Sequence, residues 1–190
     1  MKKLIIVAHP NPEGFAHHMA QAFLEQSILS GHDVCIIDLY KTKNHQDFLI
    51  LDTENKATQQ SNVDTMQQQI TRADEIVFCY PMRRYDCPAI LKNRFDLNFA
   101  SKFAYSYKKD SLLPYQLLKG KTARIFITGG SPKWLLLTLG LTHLVTMALA
   151  RLRYCGVRLK SYTVFGSMNS YRWLHARQHM LDKVRKIAAK

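Results

Sequence analysis

Paired cysteines are missing from this chain of 190 residues. Its four cysteines, Cys35, Cys79, Cys87 and Cys155, are dispersed, and no two of them form a CxxC pair. This spacing signals neither a disulfide framework nor a zinc site. We expect Cys35, Cys79 and Cys155 to be core residues because their neighbours are apolar, and we expect a reducing cytoplasm as the compartment.

Acidic residues are also scarce. The chain has 14 Asp and Glu against 27 Lys and Arg, which gives a formal net charge of +13. A surplus of this size favours nucleic acid, an anionic membrane surface, or anionic small molecules such as phosphorylated dinucleotides as partners. No nucleic-acid-binding motif accompanies the charge, so we expect no nucleic-acid partner.

No apolar run is long enough to predict a membrane span. Residues 134–150 form the most apolar stretch, but about 17 residues fall short of the roughly 20 that a bilayer requires, and polar residues interrupt them. The apolar residues that follow Lys3 are too few for a signal peptide. We therefore expect 134–150 to be a helix that is buried or lies at a dimer interface.

Internal repeats, linkers and low-complexity tracts are absent as well, and 47% of the residues are hydrophobic. The chain is long enough to bury its own core, which predicts one domain over residues 1–190. Neither a GxxxxGK[ST] nor a GxGxxG phosphate loop occurs, and Ser131 and Ser167 lack the context of a nucleophilic serine. His175 and His179 offer two ligands, which do not make a metal site.

What the sequence does contain is a regular alternation of apolar strands with helices. Strands are predicted at 4–8, 34–37, 75–80, 122–127 and 158–165. Their alternation with helices favours a parallel, doubly wound sheet with helices on both faces. Five strands match the flavodoxin-like order 2-1-3-4-5, in which the ligand lies at the switch between the first and third strands.

Three of these strands run into turns that carry distinctive residues. The first strand ends in His9-Pro10-Asn11-Pro12-Glu13-Gly14-Phe15, the third runs into residues 81–92, and the fourth ends in Thr128-Gly129-Gly130-Ser131-Pro132. The carboxyl ends of parallel strands lie on one edge of the sheet, where ligands bind. We therefore expect the three loops to build one pocket.

Four blocks of sequence cover nearly the whole chain in a fixed order. They are Leu4-Ile5-Ile6-Val7-Ala8-His9-Pro10 with Phe15; Ala73-Asp74-Glu75-Ile76-Val77-Phe78 with Pro81, Pro88-Ala89-Ile90-Leu91-Lys92 and Phe95-Asp96; Leu118-Lys119-Gly120-Lys121 with Thr128-Gly129-Gly130; and Cys155-Gly156-Val157. Each block alone is a weak signal. Together and in this order, they resemble the NAD(P)H:quinone oxidoreductase family with a flavodoxin-like fold.

The resemblance implies a flavin-dependent oxidoreductase that works as a homodimer. In such an enzyme NAD(P)H delivers a hydride to flavin N5 and leaves, and a quinone or similar acceptor then takes two electrons in the same slot. The cofactor would be FMN or FAD. The tyrosine and histidine that relatives use near the hydride site have no secure counterpart here, although Trp134 and His143 lie nearby in sequence, so no catalytic residue is assigned.

The residues expected to hold the flavin lie in the three loops. Glycine lets the backbone approach the ring closely, and a helix N-terminus after the first loop favours the phosphate. Backbone N–H groups around Arg83, Arg84, Gly129 and Gly130 are the expected donors to the pyrimidine edge. Histidine, glycine and proline at these positions also have plain structural interpretations as turn residues. The expected cofactor-binding residues are His9, Phe15, His17, Pro81, Met82, Arg83, Arg84, Tyr85, Thr128, Gly129 and Gly130.

Two of the loops depart from the family pattern. Relatives usually offer Ser or Thr to the phosphate in the first loop, where this chain has Gly14 and Ala16, and Glu13 would repel an anion. Relatives carry aromatic residues in the second loop, where this chain has Arg83 and Arg84, which can stack on a ring, bind an anion or face solvent. These departures keep a second hypothesis open, namely an ancillary subunit of a potassium-efflux type membrane transporter with weak or no reductase activity.

Overall fold

Seven strands are present in the computed structural model, which describes residues 1–41, 46–48, 56–107, 114–169 and 171–190, and only the backbone at 56–62 and 171–175. They are, in chain order, β1 (Lys2–Val7), β2 (Asp33–Asp38), β3 (Glu75–Pro81), β4 (Tyr105–Ser106), β5 (Tyr115–Gln116), β6 (Thr122–Thr128) and β7 (Arg158–Phe165). Five of them form one parallel sheet in the order β2-β1-β3-β6-β7. The predicted flavodoxin-like order is therefore confirmed, with β6 and β7 as its fourth and fifth strands.

The helices lie between these strands and pack on both faces of the sheet. They are α1 (Phe15–Leu29), α2 (Lys56–Arg72), α3 (Ala89–Asn98), α4 (Lys133–Leu139), α5 (Leu141–Thr146) and α6 (Tyr171–Ala188). A π-helical turn at Met147–Leu152 and a 3₁₀ turn at Arg153–Cys155 continue α5. The antiparallel pair β4–β5 is an insertion between α3 and β6.

The core has two halves because successive strand residues point to opposite faces of a sheet. Ile5, Val7 and Val77 pack with residues of α1 and α6 on one face. Leu4 and Ile76 pack with residues of α2, α3 and the 141–155 helix on the other face. The central strands β3 and β6 are buried along their whole length, including the charged residues Glu75 and Arg124.

Four charged residues meet at the amino-terminal edge of the sheet, and we call them the charge cluster. Both Arg124 Nε and Lys160 Nζ bond to Glu75 Oε1, at 3.0 Å and 2.8 Å, and Lys3 Nζ lies 3.8 Å from Glu75 Oε2. The register of β6 and β7 shifts at Lys160, since Ala123 pairs with Leu159 and Arg124 with Ser161. A strand irregularity of this kind re-aims a side chain, and here the lysine reaches the carboxylate.

The helix predicted over 134–150 is not continuous, because it breaks at Gly140. The axes of α4 and the 141–155 helix differ by 65°. At the break, an added Cβ on Gly140 would lie 2.3 Å from the carbonyl oxygen of Leu136 and 2.8 Å from Met82 Cε, so a larger residue would force its neighbours to shift. No single helix among the described residues has the length and hydropathy of a membrane span, whereas the bent pair reaches both thresholds when its two parts are counted together.

The burial of the cysteines and the start of the last helix were also predicted from the sequence. Cys35 is exposed rather than buried, because it lies on β2, the edge strand that pairs with β1 alone. Cys79 and Cys155 are buried as expected, and so is Cys87. The sequence also predicts Ser170 as the N-cap of the last helix; this residue lies outside the described residues, and α6 begins at Tyr171.

Candidate functional site

The loop after β1 is largely filled by one of its own side chains. The ring of His9 lies over Gly14, where an added Cβ would come within 2.2 Å of two ring atoms. His9 Nδ1 is 3.1 Å from the backbone nitrogen of Asn11, a contact that holds the turn. The position where relatives offer a hydroxyl to phosphate is therefore covered by an imidazole in this chain.

That imidazole adds little positive charge to the loop. Burial lowers the pKa of His9, and the nearby positive charges of His17 and Arg83 lower it further, while a hydrogen bond with Asn11 opposes both. The lowered pKa favours the neutral ring.

Two further predicted residues of the first loop hold structure around it. His17 Nε2 lies 3.2 Å from the carbonyl oxygen of His9, which ties the first turn of α1 back to the loop. Phe15 is buried, with the ring of Phe165 at 6.3 Å and the guanidinium of Arg177 at 5.7 Å from its own. Phe15 thus supports the loop from the core side.

The loop after β3 forms a tight hairpin turn at Arg83–Asp86. The backbone N–H of each end residue donates to the carbonyl of the other, at 2.8 Å and 2.9 Å. Arg84 and Tyr85 between them have φ angles of 50° and 62°. Positive φ at both central positions is the pattern of a type I′ turn, which strongly favours Asn-Gly. Two non-glycine residues in this region cost about 1–3 kcal/mol each, a strain typical of functional sites.

The residues immediately before this turn point into the protein. Pro81 is buried as the last residue of β3, and Met82 packs against Gly140 as described above. The N–H of Met82 donates to the carbonyl of Thr128 at 2.7 Å, which joins the second loop to the third. Arg83 and Arg84 are exposed, and neither side chain has an ion pair or hydrogen bond with another described residue.

The loop after β6 brings Gly129 and Gly130 to the same edge. The N–H of Gly129 donates to Phe165 O, and its carbonyl accepts from Met168 N, so both of its backbone groups are used. Gly129 also packs closely on Leu136, which lies 2.6 Å from an added Cβ. Gly130 is exposed and lies beside the amide of Asn169.

These bonds narrow the set of expected backbone donors. The N–H groups of Arg83 and Gly129 are bonded within the protein, so the expectation that they serve a ligand is corrected. Among the described residues, the N–H groups of Arg84, Tyr85 and Gly130 have no hydrogen-bond partner. We call residues 8–14, 82–88 and 129–132 the three-loop edge, and these N–H groups are among its free donors.

Behind the second loop lies a cluster of five polar side chains that no sequence pattern predicted, namely Tyr80, Asp86, Cys87, His143 and Arg151. His143 is 3% exposed, with Nε2 at 2.8 Å from Tyr80 Oη and Nδ1 at 2.7 Å from Asp86 Oδ1. Arg151 lies 3.5 Å from Cys87 Sγ and 3.8 Å from Asp86 Oδ1. Tyr80 and His143 are 63 residues apart in the chain, and no local pattern links them.

Burial dominates the titration of this group. It raises the pKa of Tyr80 well above its usual value and that of the Cys87 thiol to about 11, which Arg151 partly offsets. It also lowers the pKa of His143, although the Asp86 carboxylate opposes the shift. Burial thus favours the neutral imidazole of His143 and the protonated forms of the Tyr80 phenol and the Cys87 thiol.

Comparison with known proteins places the chain beside redox proteins of one fold. A family model described as flavodoxin-like fold matches residues 1–187. NAD(P)H dehydrogenase [quinone] 1 of Cavia porcellus is 29% identical over 125 residues, which cover 56% of this chain and 46% of the relative. The glutathione-regulated potassium-efflux system ancillary protein KefF of Enterobacter sp. (strain 638) is 34% identical, over 67% of this chain and 60% of the relative. The chain thus spans about half the length of the former.

Solved structures agree with the chain over its full length. Smu.1420 from Streptococcus mutans UA159 is 29% identical and superposes with a TM-score of 0.76 over 100% of this chain and 99% of its own. An FMN-dependent NADH-azoreductase from Bacillus anthracis str. Ames Ancestor, in complex with FMN, gives a TM-score of 0.78 over 99% and 97%. It is 16% identical, so its likeness shows the fold alone.

Proposed function

Because this chain belongs to the flavodoxin-like fold family, we propose that it is a flavin-dependent NAD(P)H oxidoreductase that passes two electrons to a quinone or similar acceptor. The observation that carries the proposal is the set of unpartnered N–H groups of Arg84, Tyr85 and Gly130 at the three-loop edge. An isoalloxazine ring is apolar on its faces and has acceptors along one edge, so backbone donors at a glycine-containing slot suit it. The relative named NAD(P)H dehydrogenase [quinone] 1 supports the choice of electron donor and acceptor, and the fold itself holds FMN in an azoreductase.

The chain's own residues would bind and orient the reactants. The donors at 84, 85 and 130 fix one edge of the ring, and the exposed guanidinium groups of Arg83 and Arg84 attract an anionic dinucleotide. When bound, the flavin supplies the chemistry, since it takes a hydride from NAD(P)H at N5 and passes two electrons to the acceptor. We place the reaction in the cytoplasm because the cysteines show no disulfide pattern.

Flavin binding is the first test of this proposal. Purified protein titrated with FMN, FAD or riboflavin is expected to quench flavin fluorescence with one ring bound per chain. Because His9 covers the position beside Gly14, the first loop offers little to phosphate, and we expect riboflavin to bind within about tenfold of FMN. No quenching by any of the three at high micromolar concentration would contradict the reductase proposal. Strong preference for FMN would instead show that the first loop rearranges around phosphate.

The covered first loop also supports a second candidate function. A chain that keeps the fold but holds phosphate poorly suits an ancillary role at a membrane transporter, the role named for the KefF relative. A purified protein without flavin and without NAD(P)H consumption in the presence of quinone, yet able to activate a reconstituted efflux transporter, would favour this role over the reductase.

We also propose that the chain forms a homodimer through the bent pair of helices α4 and α5. The apolar side chains exposed on this face are Trp134, Leu137, Leu139, Leu141, Val145 and Leu149, with exposed fractions between 37% and 66%. Apolar side chains clustered on one surface typically mark an interface. A second copy of the chain is the occupant that relatives of this fold suggest.

Leu141→Glu is therefore expected to convert a dimer into a monomer, because it places a charge at the centre of that face. Light scattering of the wild-type protein is expected to give about twice the chain mass of 22.0 kDa. Leu29→Glu is the matched control, since Leu29 is 79% exposed at the end of α1 and away from α4 and α5. A wild-type protein that is monomeric at high concentration would contradict this arrangement.

A further inference from the structure

The group behind the second loop contains a set of metal-ligand atoms. One ligand atom from each of Asp86, Cys87 and His143 lies within 4.8 Å of the other two, and we call these residues the triad. Carboxylate oxygen, thiolate sulfur and imidazole nitrogen are the ligands that Zn²⁺ takes in proteins, and three of them with one open position form a known zinc arrangement. We propose that the triad binds one divalent transition-metal ion of the zinc type.

The orientation of His143 is the observation that supports this site. Its Nδ1 atom is buried and has no hydrogen bond, although it lies 2.7 Å from Asp86 Oδ1. When Nε2 carries the proton and donates it to Tyr80 Oη at 2.8 Å, Nδ1 has no proton to offer the Asp86 carboxylate, which lies 2.7 Å away. Two electron-rich atoms at this distance repel each other, and a cation bound by both makes the contact attractive.

Tyr80 completes the surroundings that a metal-binding histidine needs. Such histidines almost always give their other N–H to a second group, which fixes the ring and its tautomer. The Tyr80 hydroxyl is fully buried and takes this place. A metal bound tetrahedrally at about 2.0–2.2 Å from nitrogen and oxygen would hold those two atoms about 3.4 Å apart, so the exposed Asp86 carboxylate must move outward from its present 2.7 Å.

Arg151 now supplies the positive charge at the triad. Its guanidinium lies 3.8 Å from Asp86 Oδ1 and 3.5 Å from Cys87 Sγ, and its side chain is 15% exposed. A divalent cation would repel it, so the arginine must swing away when metal binds. Because the two cations compete, removal of the arginine charge should strengthen metal binding. A group that serves only as a hydrogen-bonded support would show no such effect.

The metal would fasten the hairpin turn to the helical layer. Asp86 and Cys87 belong to the loop after β3, whereas His143 lies in α5. Asp86 has a side chain that is 58% exposed, so water reaches the site from that side and supplies the fourth ligand. The turn that carries the donors of Arg84 and Tyr85 would thereby be held at two points.

The test measures metal binding directly and needs no flavin. Protein stripped with a chelator is dialysed against Zn²⁺, and Co²⁺ is added in parallel to detect thiolate-to-cobalt charge-transfer absorption. We expect one metal ion per chain and a Co²⁺ spectrum with the thiolate band. Cys87→Ser is expected to remove that band and to weaken Zn²⁺ binding at least tenfold, and Tyr80→Phe to weaken it by about tenfold. Arg151→Gln is expected to strengthen it by about tenfold.

Two variants control for adventitious binding. Cys35 and His179 are the exposed cysteine and an exposed histidine away from the triad, and Cys35→Ser and His179→Gln are expected to leave the affinity unchanged. His143→Asn should behave as Cys87→Ser does, with circular dichroism to confirm that it folds. Absence of stoichiometric metal, or binding that Cys87→Ser and Tyr80→Phe leave intact, would overturn the proposal and leave Asp86, His143 and Tyr80 as a hydrogen-bonded brace.

Discussion

Replacing Glu75 with Gln is expected to lower the free energy of unfolding by about 3–5 kcal/mol, because it removes the only carboxylate of the charge cluster. Glu75 is 1% exposed, and Lys3 and Arg124 are nearly as buried, at 2% and 8%. Without the carboxylate, these two cations and Lys160 would face one another across a medium that screens charge poorly. Urea unfolding followed by circular dichroism measures the change.

Asp96→Asn is the matched control for this change, since it removes an acidic group from an exposed ion pair. Lys92 and Asp96 lie one turn apart on α3 with side chains 48% and 43% exposed, and such pairs contribute at most about 1 kcal/mol. Equal losses in the two variants would contradict the role assigned to Glu75. The cost would then arise from the loss of a surface charge alone.

Acid should erase the difference between the wild-type protein and the Glu75→Gln variant. Burial tends to raise the pKa of Glu75, but hydrogen bonds and charges from Lys160 and Arg124 outweigh it and hold the pKa below 4.5. A carboxylate with a lowered pKa stabilises the fold above its unfolded pKa, and this contribution is lost as pH falls through the folded value. The two proteins should therefore converge in stability below pH 4.5.

Changing Arg83 and Arg84 together to Ala is expected to slow flavin reduction or to weaken NAD(P)H binding by about tenfold or more. The two exposed guanidinium groups have no partner among the described residues, and they flank the donors of the three-loop edge. A charge-assisted contact to an anionic reactant is worth about 1.5–3 kcal/mol when partly buried, and 1.4 kcal/mol is one decade. Stopped-flow reduction of the flavin-loaded protein measures the effect.

Stability should hardly change in this double variant. Alanine at position 84 meets the same left-handed backbone as arginine, and neither side chain contributes a contact that the fold would lose, so a change within about 0.5 kcal/mol is expected. Lys2→Ala with Arg158→Ala is the control, because it removes two exposed cations from the opposite edge of the sheet. Unchanged reduction kinetics in the Arg83, Arg84 variant would show that these arginines only face solvent.

The sheet was predictable from the sequence because a strand that is buried on both faces appears as a continuous apolar run. Leu4 to Ala8 and Ile125 to Ile127 lie in apolar runs with no polar alternation, and the order of strands followed from their alternation with helices. The break in the apolar helix and the position of the edge strand could not be predicted from these patterns. The apolar segment breaks at Gly140, where the Leu136 backbone and the distant side chain of Met82 leave little room for a larger residue, and Cys35 lies among apolar neighbours yet on an edge strand.

The candidate site was predictable as a place and less so as a set of contacts. The sequence identified the three loops, and the structure brings them to one edge. It did not foresee the turn at Arg83–Asp86, because neither Asn nor Gly occupies its left-handed positions. The choice of backbone donors changed for a similar reason, since bonds such as that from Gly129 to Phe165 depend on tertiary pairing.

The residues on which stability depends and the residues of the candidate site lie at opposite edges of the sheet, so the two can be mutated separately. Glu75 and its three cations stand at the amino-terminal edge, whereas the exposed Arg83, Arg84 and Gly130 stand at the carboxyl-terminal edge. A combinatorial library at the exposed positions 83 and 84 is therefore expected to keep the yield of folded protein. The same library around Glu75 would return mostly insoluble chains, whatever activity was selected.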